Sequence, residues 1–485
     1  MALKNYEIGF KENDTINWFK NLISKIEVYP NSVVRIYKAN EIELKEVITT
    51  SVDKPVAIIH YEIINNKNKK LFIKFQSNMR LMWPYSENVL GNINFDWNKN
   101  LNAFIIQDER KIYSTLIGFN TQIKNYTIDN VDNLTKQALV ELNASQTKYF
   151  DVVISSSNEN INKLISYYKS SLINTYQTYY SSKKHYENQL KKLISIKSPD
   201  KDFNEGYNWA LIGTKKFIVN TPQIGKSIVA GYSTTARGWN GGHKINGRPG
   251  YAWYFGRDGV WSGFALLDLG DYETVKSIIK MFNKYQDING KIFHELTTSG
   301  VVHYDASDST PLYLILCGRY LKESGDINFI KQNIDHIKKA IQFCYSTDTD
   351  KDNLIENTNV GHGWVEGGGL YTAHTEVYLA ACWAEALKWS GYIFDKLKLF
   401  NEAKKYFEDY ETVKKIINTK FWDEEKQTLS FSKLKDGSYN NEKTVLSAVP
   451  IYFDMIDSLK AKTVLKDYSE NYFSSDWGVR ILRND

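Results

Sequence analysis

A single carboxylate, Glu366, sits in the stretch GHGWVEGGG at residues 361–369, two positions after Trp364 and among five glycines. Glycine has no Cβ, so such a loop brings backbone close to a ligand. The Trp364 indole supplies a flat apolar wall. A carboxyl group beside such a wall tends to have its pKa raised, which suits a general acid. His362 belongs to the same loop, and Tyr371, His374 and Glu376 follow it. The plainer alternative is a glycine-rich turn with a solvated Glu. The density of Gly and Trp speaks against it.

Two further clusters carry polar groups among aromatics. The first is Trp253-Tyr254-Phe255-Gly256-Arg257-Asp258-Gly259, followed by Trp261. Arg offers a planar fork of donors, and Asp accepts from vicinal hydroxyls, so Arg257 and Asp258 with Trp253 make a sugar clamp. The alternative is a structural ion pair that caps the next helix. The second runs Lys291-Ile292-Phe293-His294-Glu295, then Tyr304-Asp305-Ala306-Ser307-Asp308-Ser309-Thr310-Pro311. Asp308 or Ser309 suits a helix cap ahead of Pro311. That leaves Glu295 and Asp305 as candidates to line a site.

The elements that must hold these loops change along the chain. Residues 1–155 read as an antiparallel β-sandwich, with short strands at Val33–Tyr37, Val56–Ile64, Leu71–Phe75, Phe104–Ile106, Lys111–Tyr113 and Phe150–Ile154. The turn Asn65-Asn66-Lys67 predicts a hairpin between Val56–Ile64 and Leu71–Phe75. Residues 156–200 form a helical linker, and residues 201–485 a helical domain. Ile330, Ile334, Ile337, Ile341 and Cys344 mark one face of a helix. Further helices are expected at Glu273–Tyr285, Pro311–Leu321, His374–Trp389 and Ala403–Phe421, with Gly270, Gly325 and Gly391 near helix ends. Longer loops at 221–258, 287–308 and 347–373 separate helical hairpins. Their alternation suggests a ring of hairpins with loops gathered at one rim.

Composition excludes other chemistries. A net charge of +5, from 61 basic and 56 acidic residues interspersed, gives no case for nucleic acid. The start MALKNYEIGF lacks a signal core, and no apolar run approaches a membrane span of about 20 residues. A cytoplasmic location is compatible with this, as is a periplasmic or secreted one after removal of a signal peptide. Cys317, Cys344 and Cys382 form no CxxC pair and are expected as buried thiols. Asp348, Asp350 and Asp352 alternate like the start of a calcium loop. Asn353 and Asn359 stand where that loop needs Gly and Glu, so a solvated turn is expected. No HExxH, GxGxxG, GxxxxGK[ST] or GxSxG occurs, and neither metal nor cofactor is called for.

The strings YAWYFGRDG, WSGFALLDLGD, KIFHE, DASDSTPLY and DNLIENTNVGHGWVEGG, over roughly residues 200–390, resemble the bacterial amylo-α-1,6-glucosidase or glycogen-debranching-like glycosidases. More broadly the chain is similar to the glucoamylase and processing-α-glucosidase clan. The resemblance implies an N-terminal β-sandwich followed by an (α/α)6 six-hairpin toroid. It implies exo-acting, inverting hydrolysis of an α-glucosidic bond in an oligosaccharide or a glycogen- or starch-like substrate. Glu366 would be the general acid, and Arg257 and Asp258 would hold the sugar at the cleavage point. Trp253, Phe255, Trp261, His294, Glu295, Asp305, His362, Trp364 and Glu376 would line the substrate site. In that clan the general base follows a segment like Trp477–Leu482, and this sequence stops at Asp485. The last helical hairpin and the base are therefore expected to be missing, with Asp305 and Glu376 as conceivable substitutes. Carbohydrate binding without turnover and inverting disaccharide phosphorolysis are the competing functions. The sequence does not disclose oligomeric state.

Overall fold

The computed structural model describes residues 2–39, 42–66, 69–79, 92–132, 135–143, 148–232, 251–298, 300–368, 370 and 373–483. Of the loop expected at 221–258, residues 233–250 lie outside the described residues, as do Gly369 and Tyr371 of the glycine loop. The described residues fall into two compact units, one ending at Lys215 and one beginning at Lys216.

The first unit contains two antiparallel sheets. One has five strands, in the order Ile123–Asn130, Lys136–Leu142, Leu71–Ser77, Lys4–Glu12, Thr15–Trp18. The other has eight, in the order Ile23–Tyr29, Ser32–Ala39, Ile42–Thr50, Val56–Asn66, Tyr149–Ser157, Ser114–Phe119, Ala103–Asp108, Ile93–Asn98. Alternation along each strand sends Ile8, Leu44, Tyr61, Ile73, Phe75, Phe104 and Phe150 into one shared core. The hairpin expected at residues 65–67 does not form. Val56–Asn66 pairs with Ile42–Thr50 and Tyr149–Ser157, whereas Leu71–Ser77 pairs with Lys4–Glu12 and Lys136–Leu142. Val56–Asn66 forms its hairpin with the strand before it instead, and Leu71–Ser77 is claimed by partners distant in sequence, so these pairings outweigh the local turn. Lys111–Tyr113 is a bend, and the strand begins at Ser114.

Helices α1 (Ile161–Ile173), α2 (Thr175–Lys192) and α3 (Lys201–Lys216) follow the sheets. α1 presses Leu164 and Tyr168 against Val56, Ile58, Leu116 and Val153 on the outer face of the larger sheet. Gly118 makes room for Tyr168, whose hydroxyl would lie 1.9 Å from any added Cβ. The sequence sets 156–200 apart as a linker and starts the helical domain at 201. In the structure α1 and α2 group with the sheets.

The second unit holds α4 (Gly256–Asp268), α5 (Tyr272–Lys284), α6 (Ser309–Ser324), α7 (Ile327–Gln332), α8 (Ile334–Ser346), α9 (Val377–Lys396), α10 (Phe400–Thr419), α11 (Ala448–Tyr452) and α12 (Ser458–Tyr468). Their apolar faces share one core that includes Cys317, Cys344 and Cys382, all free thiols. The Ile330–Cys344 stripe is split between α7 and α8. At the break, Asn333 donates its side-chain amide to the Phe329 carbonyl at 2.7 Å, a local bond that competes with the helix ladder. Gly270 and Gly325 end helices with φ of +73° and +69°. Gly391 does not end one. It lies inside α9, where a Cβ would meet the Phe407 ring of α10 at 2.8 Å, so it serves close helix approach. No helix among the described residues is long and apolar enough to cross a membrane.

Candidate active site

Short strands immediately ahead of two helices gather the loops of interest. Tyr254–Phe255, which leads into α4, pairs with Glu295–Leu296, and that strand pairs with Val302–His303. Thr375–Glu376, which leads into α9, pairs with Ser432–Lys433. The glycine loop joins the first group through a parallel bridge between Ala306 and His362. The His362 amide donates to the Asp305 carbonyl at 3.1 Å, and the Ser307 amide donates to the His362 carbonyl at 2.9 Å. Gly361, at φ +150°, is required there, because a Cβ would stand 2.2 Å from the Asp305 carbonyl oxygen.

Glu366 meets three nitrogen-bearing side chains. Its Oε1 lies 3.9 Å from His294 Nε2, 4.0 Å from Arg257 Nη1 and 4.0 Å from His362 Nδ1. The carboxyl is not in the half-dry setting expected from Trp364, since its side chain is 59% exposed. Trp364 is itself exposed, with its ring packed edge-on to Tyr378 at 5.5 Å. His294 is buried and receives order from both sides. Its Nδ1 is 2.7 Å from Asp305 Oδ1, and its ring sits edge to face with His362 at 4.7 Å. Burial works against the His294 imidazolium, but the Asp305 hydrogen bond and charge outweigh it, and the pKa is raised. The same hydrogen bond holds the Asp305 carboxyl well below the usual carboxylate range.

Arg257 is buried, and most of its fork is already engaged. Nε donates to Asp308 Oδ2 at 2.5 Å and Nη2 to Asp308 Oδ1 at 3.2 Å, while Nη2 also donates to the Gly363 carbonyl. The ion pair is thus Arg257–Asp308 rather than Arg257–Asp258, and only Nη1 faces Glu366. Asp308 stands at the N-cap of α6 yet makes no cap bond. It is fully buried and also accepts from the Tyr378 hydroxyl at 2.9 Å. Asp308 and Tyr378 are the residues that sequence reasoning missed, one disguised as a cap and the other as an ordinary core aromatic. Asp258, in the first turn of α4, is exposed to solvent on one side, but burial raises its pKa against the pull of Arg257.

Glu376 does not line the site. It is 2% exposed, and its Oε2 would lie 1.9 Å from a Cβ on Gly363. Burial, then the nearby Asp308 charge, push its pKa up to about 8. Gly363 is therefore gripped from two sides, by the Arg257 guanidinium at its carbonyl and by the Glu376 carboxyl beneath it. Trp253 and Phe255 are buried, with Phe255 edge-on to His294 at 5.8 Å. Trp261 is half-buried, stacked on Phe453 at 6.0 Å and tilted to Trp364 at 6.0 Å. Glu295 pairs with His303 at 3.2 Å, and its charge adds to that of Asp305 in raising the pKa of His294. His374 also sits elsewhere, 2.9 Å from Thr358 Oγ1 and 3.6 Å from Asp350.

Among the described residues, three clusters could hold a metal on the basis of donor type and spacing: His294, His362 and Glu366; Asp350, Glu356 and His374; and Asp348, Asp350 and Asp352. Each already has a fixed cation at hand. Arg257 stands beside the first, and Lys433 Nζ bridges Asp350 at 2.7 Å and Asp352 at 2.6 Å. The Lys433 ammonium thus balances the charge of two carboxylates of the acidic turn.

Residues 270–479 match the family described as bacterial α-L-rhamnosidase 6 hairpin glycosidase domain. None of the curated proteins matches the sequence. Among solved structures, a bacterial glucoamylase complexed with acarbose is similar at a TM-score of 0.64 and 14% identity, over 86% of this chain and 61% of that one. A protein assigned as a kojibiose phosphorylase, from the human microbiome, is similar at 0.55 and 11% identity, over 87% of this chain and 61% of that one. A family GH92 inverting mannosidase from Bacteroides thetaiotaomicron is similar at 0.57 and 11% identity, over 90% of this chain and 58% of that one. The chain thus spans about 60% of the length of the solved structures it matches. It has their fold class, with antiparallel sheets followed by a six-hairpin glycosidase-type helical domain.

Proposed function

We propose that this chain carries the proton-donating half of an inverting glycosidase acting from the end of an oligosaccharide, with Glu366 as the general acid. One observation carries the reading. In a six-hairpin glycosidase-type fold, the carboxyl of the glycine loop converges with Arg257 and His294, within 4.0 Å and 3.9 Å. Glu366 would hand its proton to the departing glycosidic oxygen as positive charge develops on the sugar ring. Arg257 Nη1 and His294 Nε2 would orient that carboxyl and steady the charge it acquires. The Asp305 bond sets the tautomer and direction of His294, as a fixed carboxylate does for a working imidazole. Asp258 and the exposed face of Trp364 would meet the sugar, with Asp258 accepting from hydroxyls and Trp364 covering an apolar ring face.

Inversion also needs a carboxylate that activates water from the opposite side. Glu376 is unsuited to that role, because it is sealed beneath Gly363 and stays protonated up to about pH 8. Asp305 is committed to His294 at 2.7 Å. The base is therefore assigned to neither. The preferred substrate is an α-glucoside. The rhamnosidase-type match favours an α-L-rhamnoside as the second reading. Aryl α-glucoside and aryl α-L-rhamnoside, each with and without phosphate, separate the sugars and separate hydrolysis from phosphorolysis. Hydrolysis of the matching disaccharide, whose sugar leaving group is poor, that Glu366→Gln does not slow would remove Glu366 from the mechanism.

A further inference from the structure

The larger sheet has a concavity on its outer face. Strand alternation places Lys45, Val47 and Thr49, Ile58 and His60, and Tyr149 and Asp151 outward, while their neighbours Leu44, Ile59, Tyr61, Phe150 and Val152 fill the core between the sheets. α1 covers part of that outer face. The remainder is roofed by the elbow at Asn174, where α1 ends and α2 begins, and a cavity of about 770 Å³ lies between. That volume falls in the range of small-molecule sites.

Its base is polar and its mouth aromatic. Asp151 is buried and holds three side chains: His60 through Nδ1 at 2.7 Å, Asn120 through Nδ2 at 2.7 Å, and Thr175 through Oγ1 at 2.9 Å. His60 is thereby fixed with Nε2 on the opposite ring edge, and that atom has no partner among the described residues. Tyr149 and Tyr176, which line the cavity, are 58% and 71% exposed. The charged lining residues are already paired, Lys45 with Glu62 at 3.2 Å and Glu27 with Lys25 at 2.8 Å. An anionic polymer would call for surplus cations, and a lipid chain for a closed apolar slot. Exposed phenol rings around fixed hydrogen-bonding edges suit the alternating apolar faces and hydroxyl rims of an uncharged sugar.

We propose that this cavity is an oligosaccharide-binding site in the sheet unit, separate from the Glu366 loop. His60, set by Asp151, is its polar anchor, and Tyr149 and Tyr176 are its stacking surfaces. The choice of an uncharged hexose chain rests in part on the glycosidase reading, whereas the shape and chemistry of the cavity do not. The test is calorimetric titration of the full chain carrying Glu366→Gln with maltohexaose, isomaltohexaose, mannohexaose and cellohexaose. The same titrations are repeated with Tyr149→Ala and Tyr176→Ala added together, and separately with His60→Ala. Each added change is expected to weaken binding of one of these sugars by about tenfold or more. Turnover of aryl glycosides by the natural chain bearing the two Tyr changes should stay as before. Isotherms that none of the added changes alters, or no binding of any of the four sugars, would overturn the proposal. Failure of Glu366→Gln to slow hydrolysis of a disaccharide with a poor leaving group would instead count against the proposed function and leave this titration readable.

Discussion

Glu366 and Glu376 stand ten residues apart on either side of one stretch of backbone, and their surroundings are opposite. Glu366 sits in the glycine loop with most of its surface open, facing Arg257, His294 and His362. Glu376 sits beneath Gly363, buried, held protonated to about pH 8, and shares its neighbourhood with Asp308. One carboxyl can reach a ligand and the other can only support the loop that carries the first. Residue type alone puts both forward as site residues. Backbone placement separates them, because Gly363 lies between the Arg257 guanidinium and the Glu376 carboxyl.

The comparison breaks most directly at Glu366. Glu366→Gln keeps the shape and removes the transferable proton, and activity on poor leaving groups is expected to fall by about 10²–10⁴-fold. Sugar binding measured by calorimetry should persist. Retained turnover would mean that the open carboxyl is a bystander. Next in size is Arg257→Ala, which leaves Asp308 buried with a lone Tyr378 hydroxyl as its partner. Removing one member of a buried pair costs about 3–5 kcal/mol, far more than a loss at the surface. Denaturant unfolding checks it. A change below about 1 kcal/mol would mean that Asp308 is rescued by water or by protonation.

Gly363→Ala attacks the backbone between the two carboxyls. The new methyl would lie 1.9 Å from Glu376 Oε2, so the loop or the buried acid must shift. Overpacking of this kind costs about 1–3 kcal/mol. It should also displace Glu366 from His294, lowering kcat with little effect on stability beyond that range. Gly367→Ala in the same loop, where a Cβ meets nothing within 4 Å, is the control and should leave both unchanged.

The sequence exposes the Glu366 end of this arrangement and hides the Glu376 end, for physical reasons. Glycine and tryptophan density marks a loop that approaches something, and the helices carrying α5, α9 and α10 are visible in their apolar spacing. His294 and Asp305 are also legible as neighbours, since both fall in the single stretch expected at 287–308 ahead of α6. What stays hidden is pairing across long separations. Asp308 looks like a cap until Arg257, 51 residues away, is found on its carboxylate. Leu71–Ser77 looks like the second arm of a hairpin until Lys4–Glu12 and Lys136–Leu142 flank it. The Ile330–Cys344 stripe looks continuous because spacing does not report the Asn333 side chain turning back on Phe329. Burial inverts the meaning of a carboxyl, and no local pattern records burial of Glu376 by residues of three separate segments.

Per pH unit, the smallest expected effect is also the most diagnostic for Glu376. Its pKa in the folded chain is about 8 against an ordinary value of 4.5, so the folded state holds a proton that the unfolded state releases first. A raised carboxyl pKa contributes stability fully present below the unfolded value. That contribution is lost as pH rises towards the folded value. Between about pH 4.5 and 8 the unfolding free energy should therefore decline, by at most about 1.4 kcal/mol per pH unit from this one group. Glu376→Gln cannot titrate and is close in shape to the protonated acid. It should unfold with a flatter pH dependence over that window, near the natural chain at pH 5 and above it at pH 8. Difference curves of melting temperature against pH isolate this term from the other carboxylates, which are common to both proteins. Parallel curves would mean that Glu376 reaches water and is ionised at neutral pH, and the division between a working carboxyl above Gly363 and a supporting one below it would have to be withdrawn.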